Sequence, residues 1–365
     1  MMLLLTSRVP AQNPNRHALR SAWCGLVSVA VVIASLAITQ TAALAAPGPN
    51  ASIGGLTAKF VDVKGVKTRY YDAGQGVPMV MIHGGSTAGS STANVFSRNI
   101  PGLAKRFHVY AVDRLGSGLT GNPSNDADYA TPGQVEHIYQ FIQTLKLGKI
   151  HLVGHSAGGA VAFYLAVQHP EIVTTLTIIG QGPENPPAAD GPTRLDLSSC
   201  PDQTVYDGLK CRVEKLAWLP TAFDPEYWEA DTSMAMTPKS KEARAKVVAL
   251  TNDAWRAASV AYRQQAWDKC RNDGALKMPV LIYSGKQDVL DWGKADPTAM
   301  MRGELGLFDI IGAKNTKVKM VILNEAGHFP YREYPEQFNA DLITFIDHYI
   351  AKGAPAAKPA GKPGV

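Results

Sequence analysis

Three residues of this chain are spaced for nucleophilic chemistry: a serine held between glycines, a late histidine, and an acid between the two. The serine is Ser156, in KIHLVGHSAGGAVAFYLAVQHP, residues 149–170. Gly154-His155-Ser156-Ala157-Gly158 is a G-x-S-x-G that follows one apolar run and precedes a longer one. A strand-to-helix turn of this kind must be sharp to lift a hydroxyl clear of a sheet, and glycines remove side chains that would collide with its flanks. The helix that follows aims its N-terminus, and the Ala157 N–H, at the place where an oxyanion would form.

A serine hydroxyl is a weak nucleophile until a base takes its proton and an acid orients the base. In this arrangement the chain order is serine, then acid, then histidine. Of nine histidines, only His328 and His348 follow the later apolar runs. His348 aligns with Asp341 and Thr344 on the polar side of the last helical pattern and reads as solvated. His328, in NEAGHFPYREYP just past VKMVILN, is the expected base. The expected acid is Asp288, in LIYSGKQDVLDW, with Asp291 close behind and Glu184 of GQGPEN as the rival from the preceding strand. A second oxyanion donor belongs to the loop after MVMIHGG, where Gly85 supplies the N–H and Gly84 permits close approach. His83 reads as a structural residue of that loop, since Ser156 needs one base.

The elements that position these residues follow from apolar patterning. FVDVKGVKTRYYDAG reads as two strands joined by a Lys64-Gly65 turn. VPMVMIHGG, FHVYAVDRLGSG, KIHLVGH, VTTLTIIG, MPVLIYSG and VKMVILNEAG are apolar strands without alternation, as in a parallel sheet covered on both faces. TPGQVEHIYQFIQTLKL opens with a Thr131…Gln134 capping box and Pro132 at the first helical position, and Val135, Ile138, Ile142 and Leu145 share one face. YPEQFNADLITFIDHYI closes the pattern as a helix. The expected fold class is α/β, a doubly wound, mostly parallel sheet. Residues 183–276 interrupt the alternation and read as a helical cap carrying Trp218, Trp228, Trp255 and Trp267. The expected organisation is a signal peptide over 1–45, sheet core over 58–182 and 277–350, the cap between them, and a Pro/Gly/Ala-rich tail over 351–365 expected to be disordered.

Arg8, Arg16 and Arg20 precede the uncharged AWCGLVSVAVVIASLAI, which ends in TAALAAPGPN. A basic flank, an apolar segment and Ala43-Leu44-Ala45 form the layout of a secretory signal cleaved after Ala45. The mature protein is then exported, periplasmic or secreted, with no stable membrane insertion after cleavage. Without those arginines the formal charge of +5 falls to +2, which argues against a nucleic-acid partner. An oxidising compartment permits a disulfide. Cys200 and Cys211 are the close pair, with Cys211–Cys270 the competing bridge. No Cys/His cluster has zinc spacing, so no metal is expected. Gly116-Ser117-Gly118-Leu119-Thr120-Gly121 matches G-x-G-x-x-G, but breaker residues follow where a dinucleotide site needs a helix, so no organic cofactor is expected.

IHGG, VDRLGSG, GHSAGG, SGKQD and GHFPYREYPEQFN, in this order over about residues 58–350, resemble the α/β-hydrolase superfamily. More narrowly they resemble its capped branch of esterases, cofactor-free haloperoxidases, C–C bond hydrolases and epoxide hydrolases. The resemblance implies Ser156 as nucleophile, His328 as base, Asp288 as orienting acid, and Gly85 and Ala157 as oxyanion donors. Epoxide hydrolases and haloalkane dehalogenases carry aspartate where this chain has Ser156, which disfavours their chemistry. C–C hydrolases usually show a glycine–proline run after the first histidine, and HGGSTAG lacks the proline. The expected activity is therefore cleavage of an ester or lactone through an acyl-enzyme. C–C hydrolysis or perhydrolysis by the same triad is the alternative, and a catalytically silent small-ligand-binding protein is the alternative from another class. The expected partner is a small-molecule substrate, apolar or aromatic if the tryptophans face it.

Overall fold

The structure, a computed structural model, describes residues 52–85, 91–180, 199–201, 206–288 and 299–351. The leader, Glu184, Asp291 and the C-terminal tail lie outside the described residues. Strands β1 (Ala58–Val63) and β2 (Val66–Ala73) form the expected hairpin, turning at Lys64 and Gly65, both at positive φ. Then follow β3 (Pro78–Ile82), the short α1 (Ile100–Leu103), β4 (His108–Val112), α2 (Thr131–Thr144), β5 (Ile150–His155), α3 (Ala157–Gln168) and β6 (Val173–Ile179). Four helices come next: α4 (Tyr206–Leu216), α5 (Pro225–Ala235), α6 (Pro238–Leu250) and α7 (Asp253–Asp268). The chain closes with β7 (Val280–Gly285), α8 (Ala299–Gly312), β8 (Val318–Leu323), α9 (Pro330–Glu333) and α10 (Pro335–Ala351).

The eight strands form one sheet in the order β1-β2-β4-β3-β5-β6-β7-β8, antiparallel at β1/β2 and β2/β4 and parallel elsewhere. Both faces are covered over β3 to β7, which explains why those strands lack alternation, whereas β8 at the edge is only partly buried. Val80, Ile82, Leu152 and Ile178 pack on one face with α2 and α3, while Met79, Met81, Val153 and Ile179 pack on the other with α1 and α10. The strand order reverses at β3 and β5, so their C-terminal ends open a crevice between loops that leave in opposite directions. Ser156 follows one of these strands and His83–Gly85 the other.

Two local expectations shift. Helix α2 begins at Thr131 itself, with Ala130 as an N-cap that makes no side-chain bond. The capping box is not formed, because the Gln134 side chain turns inward and donates to the Leu115 carbonyl. Within the segment read as a cap, Ala266 and Trp267 of α7 pack in the same apolar cluster as α3 and the sheet, and the Tyr262 ring lies tilted against Tyr164 with centroids 4.6 Å apart. The C-terminal end of α7 thus packs on α3 and the sheet, while α4 and α5 reach the crevice.

Candidate active site

Ser156 stands at φ 53° and ψ −125°, between β5 and α3. A non-glycine residue held there costs about 1–3 kcal/mol, which the surroundings must offset. The Ser156 N–H donates to the Ile179 carbonyl at 2.8 Å, and its own carbonyl accepts from Ala160 at 3.1 Å, the first turn of α3. The flanking glycines have a steric cause. A Cβ on Gly158 would lie 2.3 Å from the Ile82 oxygen, and one on Gly154 would lie 2.3 Å from the Gly158 oxygen. Helix α3 can therefore start against the end of β3 only because both positions lack side chains.

His328 and Asp288 are 40 residues apart in sequence and joined by a 2.7 Å hydrogen bond between Nδ1 and Oδ2. A carboxylate only accepts, so Nδ1 carries the proton and Nε2 is left as the basic nitrogen. Both side chains are buried. The Asp288 N–H turns back to the Gly285 carbonyl at the end of β7. The His328 N–H reaches across to the carbonyl of Leu216, the last residue of α4.

His83 is pinned by its neighbours. Its Nε2 accepts from the Arg114 N–H at 2.9 Å, so its Nδ1 donates to the Gly84 carbonyl at 2.8 Å. Burial, helped by the Arg114 charge, pushes its pKa down to about 3, so the ring stays neutral and serves no base role. The Gly84 carbonyl and the Gly85 N–H belong to one peptide plane. In a trans peptide the two point oppositely, so fixing the carbonyl toward His83 fixes the Gly85 N–H away from it.

Gly85, Ser91, Ser156 and His328 line one cavity, with Leu209, Arg212, Val213 and Leu216 of α4, Tyr227 of α5, and Phe329. Ala157 is the residue after Ser156 and the first of α3. Among the expected site residues, the structure thus brings Ser156, His328 and Gly85 to one cavity and hangs Asp288 behind His328. None of the four tryptophans lines it. Trp228 and Trp267 pack in the two apolar cores and Trp218 is half exposed, so the aromatic wall comes from Tyr227 and Phe329 instead.

Sequence patterning passed over Arg212. It lies mid-helix in α4 beside Cys211, outside any motif, and only the fold shows that it lines the same cavity as Ser156. Burial pulls its pKa below the ordinary arginine value, and its guanidinium makes no ion pair with a described residue. Cys211 is bridged to Cys200 with a Cα–Cα distance of 5.7 Å, and Cys270 is a buried free thiol. No group of three or more His, Cys, Asp or Glu among the described residues could hold a metal. The Gly116–Gly121 loop folds around the Asp113 carboxylate, which accepts from the Leu119 N–H and pairs with buried Arg69. A Cβ on Gly118 would lie 2.0 Å from that carboxylate, so the glycines serve a buried ion pair.

The family described as the alpha/beta hydrolase fold matches residues 77–333. The 2-hydroxy-6-oxo-6-(2'-aminophenyl)hexa-2,4-dienoic acid hydrolase of Metapseudomonas resinovorans is 28% identical over 299 residues, 79% of this chain and 90% of that one. A 2-hydroxy-6-oxononadienedioate/2-hydroxy-6-oxononatrienedioate hydrolase of Paraburkholderia xenovorans is 26% identical, over 80% of this chain and 96% of that one. Among solved structures, a meta-cleavage product hydrolase of Pseudomonas fluorescens superposes with TM-score 0.61 at 22% identity, covering 80% of this chain and 98% of that one. With this sheet, this strand-to-helix turn and a family match over most of the described core, the chain belongs to the α/β-hydrolase fold family.

Proposed function

We propose that the protein is a serine hydrolase that cleaves the carbon–carbon bond beside a ketone in an anionic oxo-dienoic acid. The observation that carries this reading is Arg212: a guanidinium without an ion-pair partner among the described residues, in the wall of the cavity that holds Ser156 and His328. A neutral ester or lactone has no use for a half-buried cation, whereas a carboxylate meets it with a charge-assisted, bidentate bond. The similar hydrolases named above act on 2-hydroxy-6-oxo-dienoic acids. Such a molecule contains a carboxylate, an enol and a ketone but no ester, so its hydrolysis must break a carbon–carbon bond. The ester named from the sequence yields first place to the C–C alternative on these grounds.

In this reading the enol first ketonises, its proton moving to the carbon next to the ketone. Ser156 then attacks the ketone carbon while His328 takes the hydroxyl proton, and the N–H groups of Ala157 and Gly85 hold the oxyanion. Collapse breaks the carbon–carbon bond and leaves a carbanion delocalised into the dienoate, to which His328 returns the proton. Water, deprotonated by the same histidine, releases the second carboxylic acid from Ser156. Asp288 stabilises the imidazolium at each stage. Arg212 holds the substrate carboxylate, and Leu209, Val213, Leu216 and Phe329 take the apolar substituent on the ketone.

The test is turnover of 2-hydroxy-6-oxo-dienoates against p-nitrophenyl acetate and lactones. Loss of the dienoate chromophore with two carboxylic fragments in the mass spectrum is expected. Arg212→Met should raise the dienoate KM roughly 10- to 100-fold, the cost of removing a buried charge partner, and leave neutral esters unaffected. Ester turnover with an intact dienoate would overturn the reading. We further propose export, supported by the leader pattern and by the Cys200–Cys211 bridge. Mature protein beginning at Ala46 is the expected finding of N-terminal sequencing.

A further inference from the structure

Ser156 and His328 stand on loops after different strands, and a proton passes between them only if their separation is held; an error of about 1 Å costs on the order of 10²-fold in rate. His155, the residue before Ser156, spans the two loops. Its Nε2 lies 2.8 Å from the His328 carbonyl oxygen. A carbonyl only accepts, so Nε2 is the protonated nitrogen and donates. Its Nδ1, 3.2 Å from the Tyr331 hydroxyl, is then an acceptor, and Tyr331 donates to it. Both partners keep these roles across the working pH range. Burial holds the His155 pKa well below the ordinary histidine value and pushes the Tyr331 phenol well above the ordinary tyrosine value.

We propose that His155 is a positioning residue for the base: from the strand end that carries Ser156 it grips the His328 carbonyl and so sets the distance between nucleophile and imidazole. The His328 backbone is also held by its own N–H on the Leu216 carbonyl at 2.9 Å, and its side chain by Asp288. His155 supplies the hold from the core. The contact is tightly packed, with the two imidazoles 4.7 Å apart and the Tyr331 ring 4.9 Å from His155. A Cβ on Gly180 would come within 3.2 Å of the same His328 carbonyl, so that side is closely packed as well. The position is the first of the two variable ones in G-x-S-x-G, where pattern reading assigns no role.

This inference rests on Ser156 and His328 being nucleophile and base, and not on the substrate. The measurement is therefore the second-order rate at which a fluorophosphonate labels Ser156. His155→Phe fills the space but loses both hydrogen bonds, and labelling should slow roughly 10- to 100-fold. His155→Gln keeps an amide donor and an acceptor and should recover most of the rate. Labelling of His155→Phe at the wild-type rate, or of His155→Gln no faster than His155→Phe, would overturn the role. If the wild type itself is not labelled at Ser156, the nucleophile assignment falls and this role with it. Should His155→Phe not fold, imidazole ¹⁵N spectra of the wild type decide. An Nε2–H tautomer that does not titrate between about pH 5 and 9 is expected, where an unperturbed histidine would change charge, and an Nδ1–H tautomer or a titration would contradict it.

Discussion

At the scale of single residues, Asp288 decides whether the His328 imidazole is aimed. Asp288→Asn leaves a hydrogen-bonding side chain but removes the charge that fixes the Nδ1–H tautomer, and turnover should fall roughly 10³–10⁴-fold. Circular dichroism should be unchanged. Glu184→Gln should be mild, and a reversal of the two effects would move the acid to the loop after β6. Ser156, Asp288 and His328 were legible in the sequence because each combines a telling residue type with a place just after an apolar strand. Arg212 and His155 were not. One is an unremarkable arginine in an amphipathic helix and the other fills a position that admits any residue. Their places at the site exist only once α4 and the loop after β8 meet over the end of β5, a contact spanning 173 residues in the His155–His328 bond.

At the scale of elements, the Cys200–Cys211 bridge ties the middle of α4 to the segment before it. Closing so short a loop contributes about 2–3 kcal/mol. Helix α4 also presents Leu209, Arg212 and Val213 to the cavity. The double variant Cys200→Ser with Cys211→Ser should therefore lower the melting temperature and raise KM more than it lowers kcat. Non-reducing peptide mapping should find this pair joined and Cys270 free. Burial pushes the Cys270 thiol up to about 12, which leaves almost no thiolate to compete. The strands were readable because a doubly covered parallel sheet leaves continuous apolar runs. The helices between β6 and β7 were harder. Tryptophan content suggested a lid over substrate, but Trp267 belongs to the sheet's own covering layer, and composition cannot distinguish one buried aromatic from another.

At the scale of the whole molecule, stability should depend on pH through a buried acid behind the site. Glu304 of α8 has its pKa pushed up to about 8, first by burial and further by the charge of Asp288. An acid raised in the folded state holds a proton that the unfolded chain releases, so its contribution is complete below the unfolded value of 4.5 and is lost as pH rises through about 8. The unfolding free energy from urea titrations should fall over that window by at most about 1.4 kcal/mol per pH unit. Glu304→Gln should flatten the decline, and an unchanged slope would contradict the assignment. The α/β layering was legible from the order of the elements, whereas the place of Arg212 in the cavity was not, because that cavity is assembled from β5, α4, α5 and the loop after β8. The central claim, that Ser156 forms a covalent bond to substrate, is tested most directly by intact-mass spectrometry of the enzyme quenched during turnover of a slow 2-hydroxy-6-oxo-dienoate. The account predicts an acyl adduct mapped to Ser156 in the peptide LVGHSAGGAV, absent from Ser156→Ala, whose turnover drops roughly 10⁴–10⁶-fold. Ser156→Ala turning over at the wild-type rate would contradict it.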